Sequence, residues 1–583
     1  MSTGRQMETL LFLFLRRMRG PLLVVIAAYS ISIGGLVLIP GLDDQGQRWY
    51  FDFFHAFYFV SFMGSTIGFG EIPYEFTPAQ RAWVTVTLYL TVLSWLYAIG
   101  KIFTLLQEPS FVRAMTEARF IRAVRVIRRP FYIVCGYGET GSLLVRSMAS
   151  RGIQPIVIDS NSDNISTLAL EDLGQDVPSF CGDATNPRHL VEAGLKRPNC
   201  MGVVAITDSD TANVAIGVAS KLIAPNVKVI ARASNRDTVE NLASFNTDHI
   251  INPFEVFGEH LAMALRSPTL HMLHIWLVSR PGQPLAPTLT PPSGNWIICG
   301  YGRFGRWLSE FLQEAGCKVR VIEANPDKAP ENAVIGRGTE AGPLQEAKIM
   351  EADAVVAGTG SDINNLSVVM TARELNPDLY LVARLDRRRN VEIFKSAKLD
   401  LIMQSSRIIT WRILPLLTTP LLSRFLRLMR EQPEEKAQEV GKLLRRITAG
   451  QTPEVWSLNV NDREAPAIAE RCAGGSPITV AQLIGLPELP FSAQSEGGKP
   501  RRRMRCMLLL LVRDNQNVLL PSMETVVHSG DRLLLCSRDG VERQMQDRLY
   551  NRVSLEHILT GYREPDGLIW RWWSRRHGSR AGG

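Results

Sequence analysis

The stretch Phe131-Tyr132-Ile133-Val134-Cys135-Gly136-Tyr137-Gly138-Glu139-Thr140-Gly141 returns 164 residues later (300 minus 136) as Asn295-Trp296-Ile297-Ile298-Cys299-Gly300-Tyr301-Gly302-Arg303-Phe304-Gly305. Each copy is a short apolar run, then Gly-x-Gly-x-x-Gly, then a helical stretch and a second apolar run ending in an acid, Asp159 or Glu323. The acid stands 23 residues after the first glycine in both (159 minus 136, and 323 minus 300). This is the dinucleotide fingerprint. The glycines allow a tight turn and let a pyrophosphate approach a helix N-terminus, and the acid bonds ribose hydroxyls. A second block repeats at an offset of 152 (362 minus 210): Val203, Val204, Ala205, Thr207, Asp210 and Asn213 return as Val355, Val356, Ala357, Thr359, Asp362 and Asn365, and Ala231 and Arg232 as Ala383 and Arg384. A duplicated α/β domain of roughly 140 residues is expected.

The candidate nucleotide-binding residues are Gly136, Gly138, Gly141, Asp159 and Asp183 in the first copy, and Gly300, Gly302, Arg303, Gly305 and Glu323 in the second. The copies differ in charge. Arg303 stands inside the second loop, where it would neutralise a phosphate, and Glu139 occupies that place in the first, where it would repel one. Conversely, the first copy has Gly182, Asp183, Ala184 and Thr185, a turn expected to border the adenine side, where the second has Gly336, Arg337, Gly338 and Thr339. Neither site satisfies both criteria.

Upstream of the repeat the chemistry changes. At 583 residues the chain is too long for one core, and its long uncharged runs lie in the first 110 residues. Residues 21–40 and 82–100 carry no charge; at 1.5 Å per residue such runs match the roughly 30 Å of a bilayer core. Residues 1–130 hold 13 Lys/Arg against 8 Asp/Glu, with the bases flanking the apolar runs: Arg16, Arg17 and Arg19 before the first, and Lys101, Arg113, Arg119, Arg122, Arg125, Arg128 and Arg129 after the second. That asymmetry puts both ends on the cytosolic side. It also supplies +5 (13 minus 8) of the net charge of +8 without a nucleic-acid surface, and no basic stripe with interleaved aromatics occurs elsewhere. The eight cysteines form no Cys-x-x-Cys pair and read as reduced thiols in a cytosolic compartment.

Between the spans, residues 49–62 are apolar but too short to cross a membrane, and they lead into Ser65-Thr66-Ile67-Gly68-Phe69-Gly70-Glu71. A re-entrant helix with an irregular continuation is tolerated at membrane depth only where that continuation is buried in protein or lines a water-filled path. The segment Thr66, Ile67, Gly68, Phe69, Gly70, followed by an acid, resembles the selectivity filter of potassium channels. In such a filter a K+ ion exchanges its water for inward-pointing backbone carbonyls and the threonine hydroxyl. Gly68 and Gly70 allow the dihedrals this requires. One loop supplies one quarter of the ring, so the resemblance implies a homotetramer in the lipid bilayer. Phe69 replaces the commoner Tyr, and Leu90 and Thr91 stand where related inner helices often carry a hinge glycine.

With Gly182-Asp183-Ala184-Thr185-Asn186-Pro187 and the strand-to-acid spacing, residues 130–415 resemble the RCK (TrkA-N-like) family, regulators of potassium conductance. The resemblance implies an octameric ring, two copies from each of four chains, that converts ligand binding into pull on the inner helices. The expected fold is multidomain: an all-α two-span pore (1–108), a linker (109–130), two α/β Rossmann-like RCK domains (131–266 and 295–450, the latter with a helical extension), a Pro-rich crossover linker (267–294), and a C-terminal α+β subdomain with a basic, Trp-bearing tail (451–583). The expected function is a ligand-gated, potassium-selective channel of a bacterial inner (plasma) membrane, with NAD(H) or another adenine nucleotide as regulatory ligand and a divalent cation as a possible co-regulator. Two alternatives share part of the pattern: a regulatory subunit of a potassium-uptake transporter, and a less selective cation channel. An enzyme is not expected, because no His-centred constellation accompanies the Rossmann motifs.

Overall fold

The structure is a computed structural model that describes residues 2–68, 72–485, 505–550 and Leu555. It contains two compact units. One comprises the N-terminal helices up to Arg129 with the short segments Pro178–Cys181 and Val191–Gly194, and the other comprises the rest of the repeat and the C-terminal part.

In the N-terminal unit a long helix, Ser2–Leu38, and a second, Pro78–Leu106, flank a 12-residue helix, Phe53–Gly64. Met18–Leu38 and Pro78–Leu105 are each long and apolar enough to cross a membrane, with mean hydropathy 2.2 and 1.6. Start signals are explicit. Thr77 and Gln80 form a capping box ahead of Pro78, and Asp52 accepts from His55 N at 2.7 Å to open the short helix. The long helices meet closely because Gly35 leaves room for the Trp83 indole, which would lie 2.0 Å from a Cβ there, and whose Nε1 donates to Ser32 O at 3.2 Å. Ala56, Phe59, Val60 and Met63 of the short helix pack with Ile33 and Leu36 of the first. Leu22, Leu23, Ile26, Leu93 and Leu96 face outward, as suits a hydrocarbon solvent. The helix Pro78–Leu106 is unbroken at Leu90 and Thr91. Thr91 Oγ1 and Ser94 Oγ bond back to the carbonyls of Thr87 and Leu90 at 2.8 and 2.6 Å, a pattern that bends helices slightly.

The repeat folds as two six-stranded sheets of the same order. The first runs Ser179–Cys181, Gln154–Asp159, Phe131–Cys135, Cys200–Ala205, Lys228–Arg232, His249–Ile251. The second runs Val334–Ile335, Lys318–Glu323, Asn295–Cys299, Ala354–Ala357, Tyr380–Leu385, Leu401–Gln404, and all its pairings are parallel. In chain order both read 3-2-1-4-5-6, the doubly wound Rossmann arrangement. Strands covered on both faces need unbroken apolar runs, which explains why Ile156 to Ile158 and Val355 to Ala357 are fully buried.

The copies do not complete their own cores. The first copy's last helix, Pro253–Arg266, places Phe254, Phe257 and Leu261 among Trp296, Ile298, Phe304 and Leu308 of the second. Gly258 permits the approach, since a Cβ there would lie 2.4 Å from the Phe311 ring. Reciprocally, Ile409, Ile413 and Leu414 of the second copy's helix Ser405–Thr418 pack with Val134, Leu144, Val145 and Met148 of the first. The stretch expected as a Pro-rich linker begins with a helix, Pro268–Val278. Its Leu270, Leu273 and Leu277 are buried with Phe425, Met429, Val440 and Leu444 of the helices Pro420–Arg430 and Glu434–Thr448, and with Met507 and Leu509 of the C-terminal sheet. Pro268 opens this helix, where a missing N–H costs nothing, and the remaining prolines of the stretch follow its end. That C-terminal sheet is four-stranded and antiparallel, ordered Glu454–Asn459, Arg532–Ser537, Cys506–Arg513, Gln516–Leu519. The closing cluster Trp570, Trp572 and Trp573 lies outside the described residues.

Because the cores are exchanged, Phe257→Ala in the first copy is expected to cost about 3–5 kcal/mol and to lower hydrogen-exchange protection of the strand Asn295–Cys299 in the second. Ile413→Ala should likewise loosen Phe131–Cys135. Exchange measured by mass spectrometry on the solubilised chain checks both; losses confined to the mutated copy would contradict the packing.

Candidate functional site

Both glycine loops lie at the point where the strand order reverses, the crevice in which open α/β sheets bind ligands. Gly136 and Gly300 have φ of 104° and 99°, the left-handed side that favours glycine. Gly141 and Gly305 have a different task. A Cβ at either would lie 2.0 or 2.1 Å from the carbonyl oxygen of Gly136 or Gly300, so helix and strand can pack only without one. Gly138 and Gly302 are the N-caps of the helices Glu139–Ala149 and Arg303–Glu314. Nothing lies within 4 Å of a Cβ at Gly302, and at Gly138 only Asp208 Oδ2 does, at 3.8 Å. Packing thus leaves the middle glycine of each loop open, as an approaching pyrophosphate requires. A dinucleotide fits the geometry of both loops.

The two acids are in register and hold the loops shut in the same way. Asp159 accepts from Tyr137 N at 2.5 Å through Oδ2, and through Oδ1 from Asn161 N at 2.7 Å and Asn164 Nδ2 at 3.2 Å. Glu323 accepts from Tyr301 N at 2.6 Å and Asn325 N at 3.0 Å. Each carboxylate, expected from sequence to meet a ribose, is therefore bonded to the backbone of its own loop. Asp183 organises its turn, accepting from Thr185 N and Oγ1 at 2.8 and 2.7 Å; these bonds hold its carboxyl below the usual range. In the second copy the matching turn serves packing, because a Cβ at Gly338 would come within 2.6 Å of Cys299 Sγ.

The block repeated at offset 152 is the opposite wall of each crevice. Asn213 Oδ1 accepts from Thr207 N and Oγ1 at 2.9 and 2.8 Å, and its amide donates to Thr207 O and Arg232 O at 3.1 Å. Asn365 repeats this with Thr359 and Arg384. Asp210 and Asp362 tie the next loop, accepting from Ser234 N at 2.9 Å and Asp386 N at 2.8 Å. These repeats preserve a shape rather than a ligand contact.

Charge separates the two crevices. Beside the first loop stand Glu139 and Asp208; Glu139 Oε1 accepts from Arg388 N of the second copy at 3.3 Å, and Asp208 pairs with Arg232 at 3.0 Å. Beside the second stand Arg303 and Arg306, and Gly360 replaces Asp208 at the same offset. Arg303 lies 6.0 Å from the Phe254 ring centroid, and Arg384, which pairs with Asp386, lies 5.1 Å from it. Asp208 was legible as the counterpart of Gly360 in the repeat, whereas Arg388 is 249 residues from Glu139 and gave no sequence signal.

In the N-terminal unit, Ser65 to Gly68 continue directly from the short helix. Thr66 N and Ile67 N donate to Met63 O and Phe62 O, each at 3.1 Å. Gly68 has φ 66°, and Thr66, a β-branched residue for which the left-handed region is strained, has φ 61°. The left-handed geometry expected at glycines thus extends to the threonine. Ile67 is 61 % exposed in the single chain. Phe69 and Gly70 lie outside the described residues. All eight cysteines are free thiols, and no group of three or more His, Cys, Asp or Glu among the described residues is arranged to hold a metal.

Comparison with known proteins agrees with this architecture. The TrkA-N domain model matches residues 132–253 and 296–405. The chain is 27 % identical over 224 residues to potassium channel protein 1 of Methanocaldococcus jannaschii, covering 38 % of this chain and 64 % of that one. It is 24 % identical over 232 residues to the voltage-gated potassium channel Kch of Escherichia coli, covering 40 % and 52 %. The chain thus spans less than two thirds of the length of these relatives. Among solved structures, the GsuK channel bound to NAD aligns over 93 % of this chain and 99 % of its own, with a TM-score of 0.44 and 16 % identity. The chain therefore carries two matches to the TrkA-N domain behind two apolar, span-length helices, and is similar to potassium channel proteins.

Proposed function

We propose that the chain is the subunit of a potassium-selective channel whose passive K+ conduction is controlled by nucleotide binding to its cytosolic RCK domains. The observation that carries this reading is the strained Thr66-Ile67-Gly68 turn, set at the C-terminus of a short helix between two span-length helices. With Phe69 and Gly70 it reads as a filter whose carbonyls and Thr66 hydroxyl replace an ion's hydration, and the helix end directs its partial negative charge toward the cation. Four chains would meet around one axis, their eight RCK domains forming the ring. Both termini would be cytoplasmic and the protein would reside in the cell membrane of a bacterium. The potassium-transport relatives support this reading, and the N-terminal helices favour it over a soluble regulatory subunit.

Regulation requires a ligand that binds one ring shape better than another, with a coupling of about 1–3 kcal/mol per effector. The second loop is the better phosphate site, because an open N-cap at Gly302 coincides with Arg303 and Arg306 and no acid replaces Asp208 there. A structure of a channel of similar fold bears NAD, and another of the same channel bears ADP; NAD(H) or an adenine nucleotide is accordingly the ligand proposed for this chain.

Reconstituted protein is expected to pass rubidium and potassium and largely exclude sodium, and a reversal potential that follows sodium would refute the channel assignment. Binding separates packing from ligand contact. Gly302→Ala should keep a wild-type melting temperature and lose at least about tenfold in ADP or NAD affinity by calorimetry. Gly305→Ala should lower the melting temperature itself. Asp159→Ala or Glu323→Ala should weaken nucleotide binding by freeing the loop backbone; unchanged affinity in both would remove the acids from the site.

A further inference from the structure

A cavity of about 470 Å³ lies between the exchanged helices, away from either glycine loop. Its walls come from Pro253–Arg266 of the first copy, the connecting helix Pro268–Val278, and Ser405–Thr418 of the second. Phe257, Leu261, Ile275, Leu289 and Trp411 make it largely apolar. The volume falls within the range of small-molecule sites, which combine apolar walls with a few convergent polar groups.

The polar groups are unusual. Arg407 and Arg412 line the cavity, and neither makes a hydrogen bond or ion pair among the described residues; Arg407 only stacks over Trp411, at 4.1 Å. Burial depresses the Arg412 guanidinium pKa, so its charge is held there at a cost, while the Arg407 side chain is exposed to solvent. Glu255 and Glu259 lie near enough to attract Arg412, but neither makes an ion pair with it among the described residues. Asp400, also in the lining, accepts from Leu381 N at 2.7 Å, and Glu259 pairs with Arg430 at 3.8 Å. His260, His271 and His274 stand in the same wall, with the His260 ring centroid 5.7 and 4.5 Å from the other two. Burial pushes His260 down to about 3 and His271 down to about 4, so these rings add no charge near neutrality. The imidazoles are not arranged for a metal.

We infer that this cavity binds a small organic anion with an apolar body, its charge on Arg412 and Arg407 and its body against the apolar wall. An inorganic anion would leave that wall wet, a neutral apolar molecule would leave the partly buried Arg412 unpaired, and a cation would face two guanidinium groups. Because the walls belong to both copies and to the helix joining them, occupancy would bear on how the copies pack, independently of the nucleotide crevices.

The test is calorimetric titration of the full-length, detergent-solubilised chain with naphthalene-2-sulfonate, blanked against empty micelles, with neutral 2-naphthol as comparison. The expected result is a saturable site, one per chain, weakened about tenfold or more by Arg412→Gln, abolished by the cavity-filling Ile275→Trp, and weaker for 2-naphthol by a similar factor. Gel filtration and thermal denaturation establish that the variants fold, and Arg407→Gln takes the place of Arg412→Gln if that chain does not. No saturable heat above the micelle blank, equal affinity in wild type and variants, or a saturable site for Zn2+ instead of the sulfonate would each overturn the proposal.

Discussion

Each Rossmann copy buries a helix that belongs to the other. Phe254, Phe257 and Leu261 fill the second copy's core, and Ile409, Ile413 and Leu414 fill the first's. Fully burying one such side chain is worth about 1.5–3 kcal/mol, which is large beside the 5–15 kcal/mol by which domains are stable. Neither copy can therefore shed its neighbour without opening its own core, and the pair moves, if at all, by adjustment of the exchanged helices. The connecting helix Pro268–Val278 reinforces this, because its apolar face is shared with the helical extension and the C-terminal sheet.

That constraint orders the rest of the repeat. With the two sheets held together, the β-strand loops are fixed by short polar clamps: Asp159 and Glu323 on one side of each crevice, and Asn213 and Asn365 on the other. The clamps use the same hydrogen bonds at similar distances in both copies, while the charges at the crevice mouths differ. Duplication kept what shapes the backbone and let the electrostatics diverge, leaving acids near the first loop and arginines near the second. The same joining of copies produces the cavity between the exchanged helices, a space that neither domain would enclose alone.

The N-terminal unit obeys a different solvent. Its helices pack through small residues and indole contacts, as at Gly35 and Trp83, and leave leucines and isoleucines outward. The turn at Thr66 to Gly68 departs from ordinary backbone geometry at the place where the sequence resembles an ion-coordinating loop. Strain of that kind persists only where surrounding structure over-determines it, and here the carbonyls of Phe62 and Met63 anchor the turn.

The sequence by itself determined the duplication, the strand-loop-helix context of both fingerprints, the two span-length runs and the short helix between them, because each depends on local periodicity or on glycines at fixed spacing. It also exposed the charge contrast between Glu139 and Arg303. Only the tertiary structure decided that the acids clamp their own loops, that residues 268–278 of the connection form a buried helix, that Arg388 meets Glu139, and that three histidines and two arginines line one cavity. Those facts rest on contacts between residues far apart in the chain, and such contacts follow from how apolar faces are shared between copies, which no local pattern encodes.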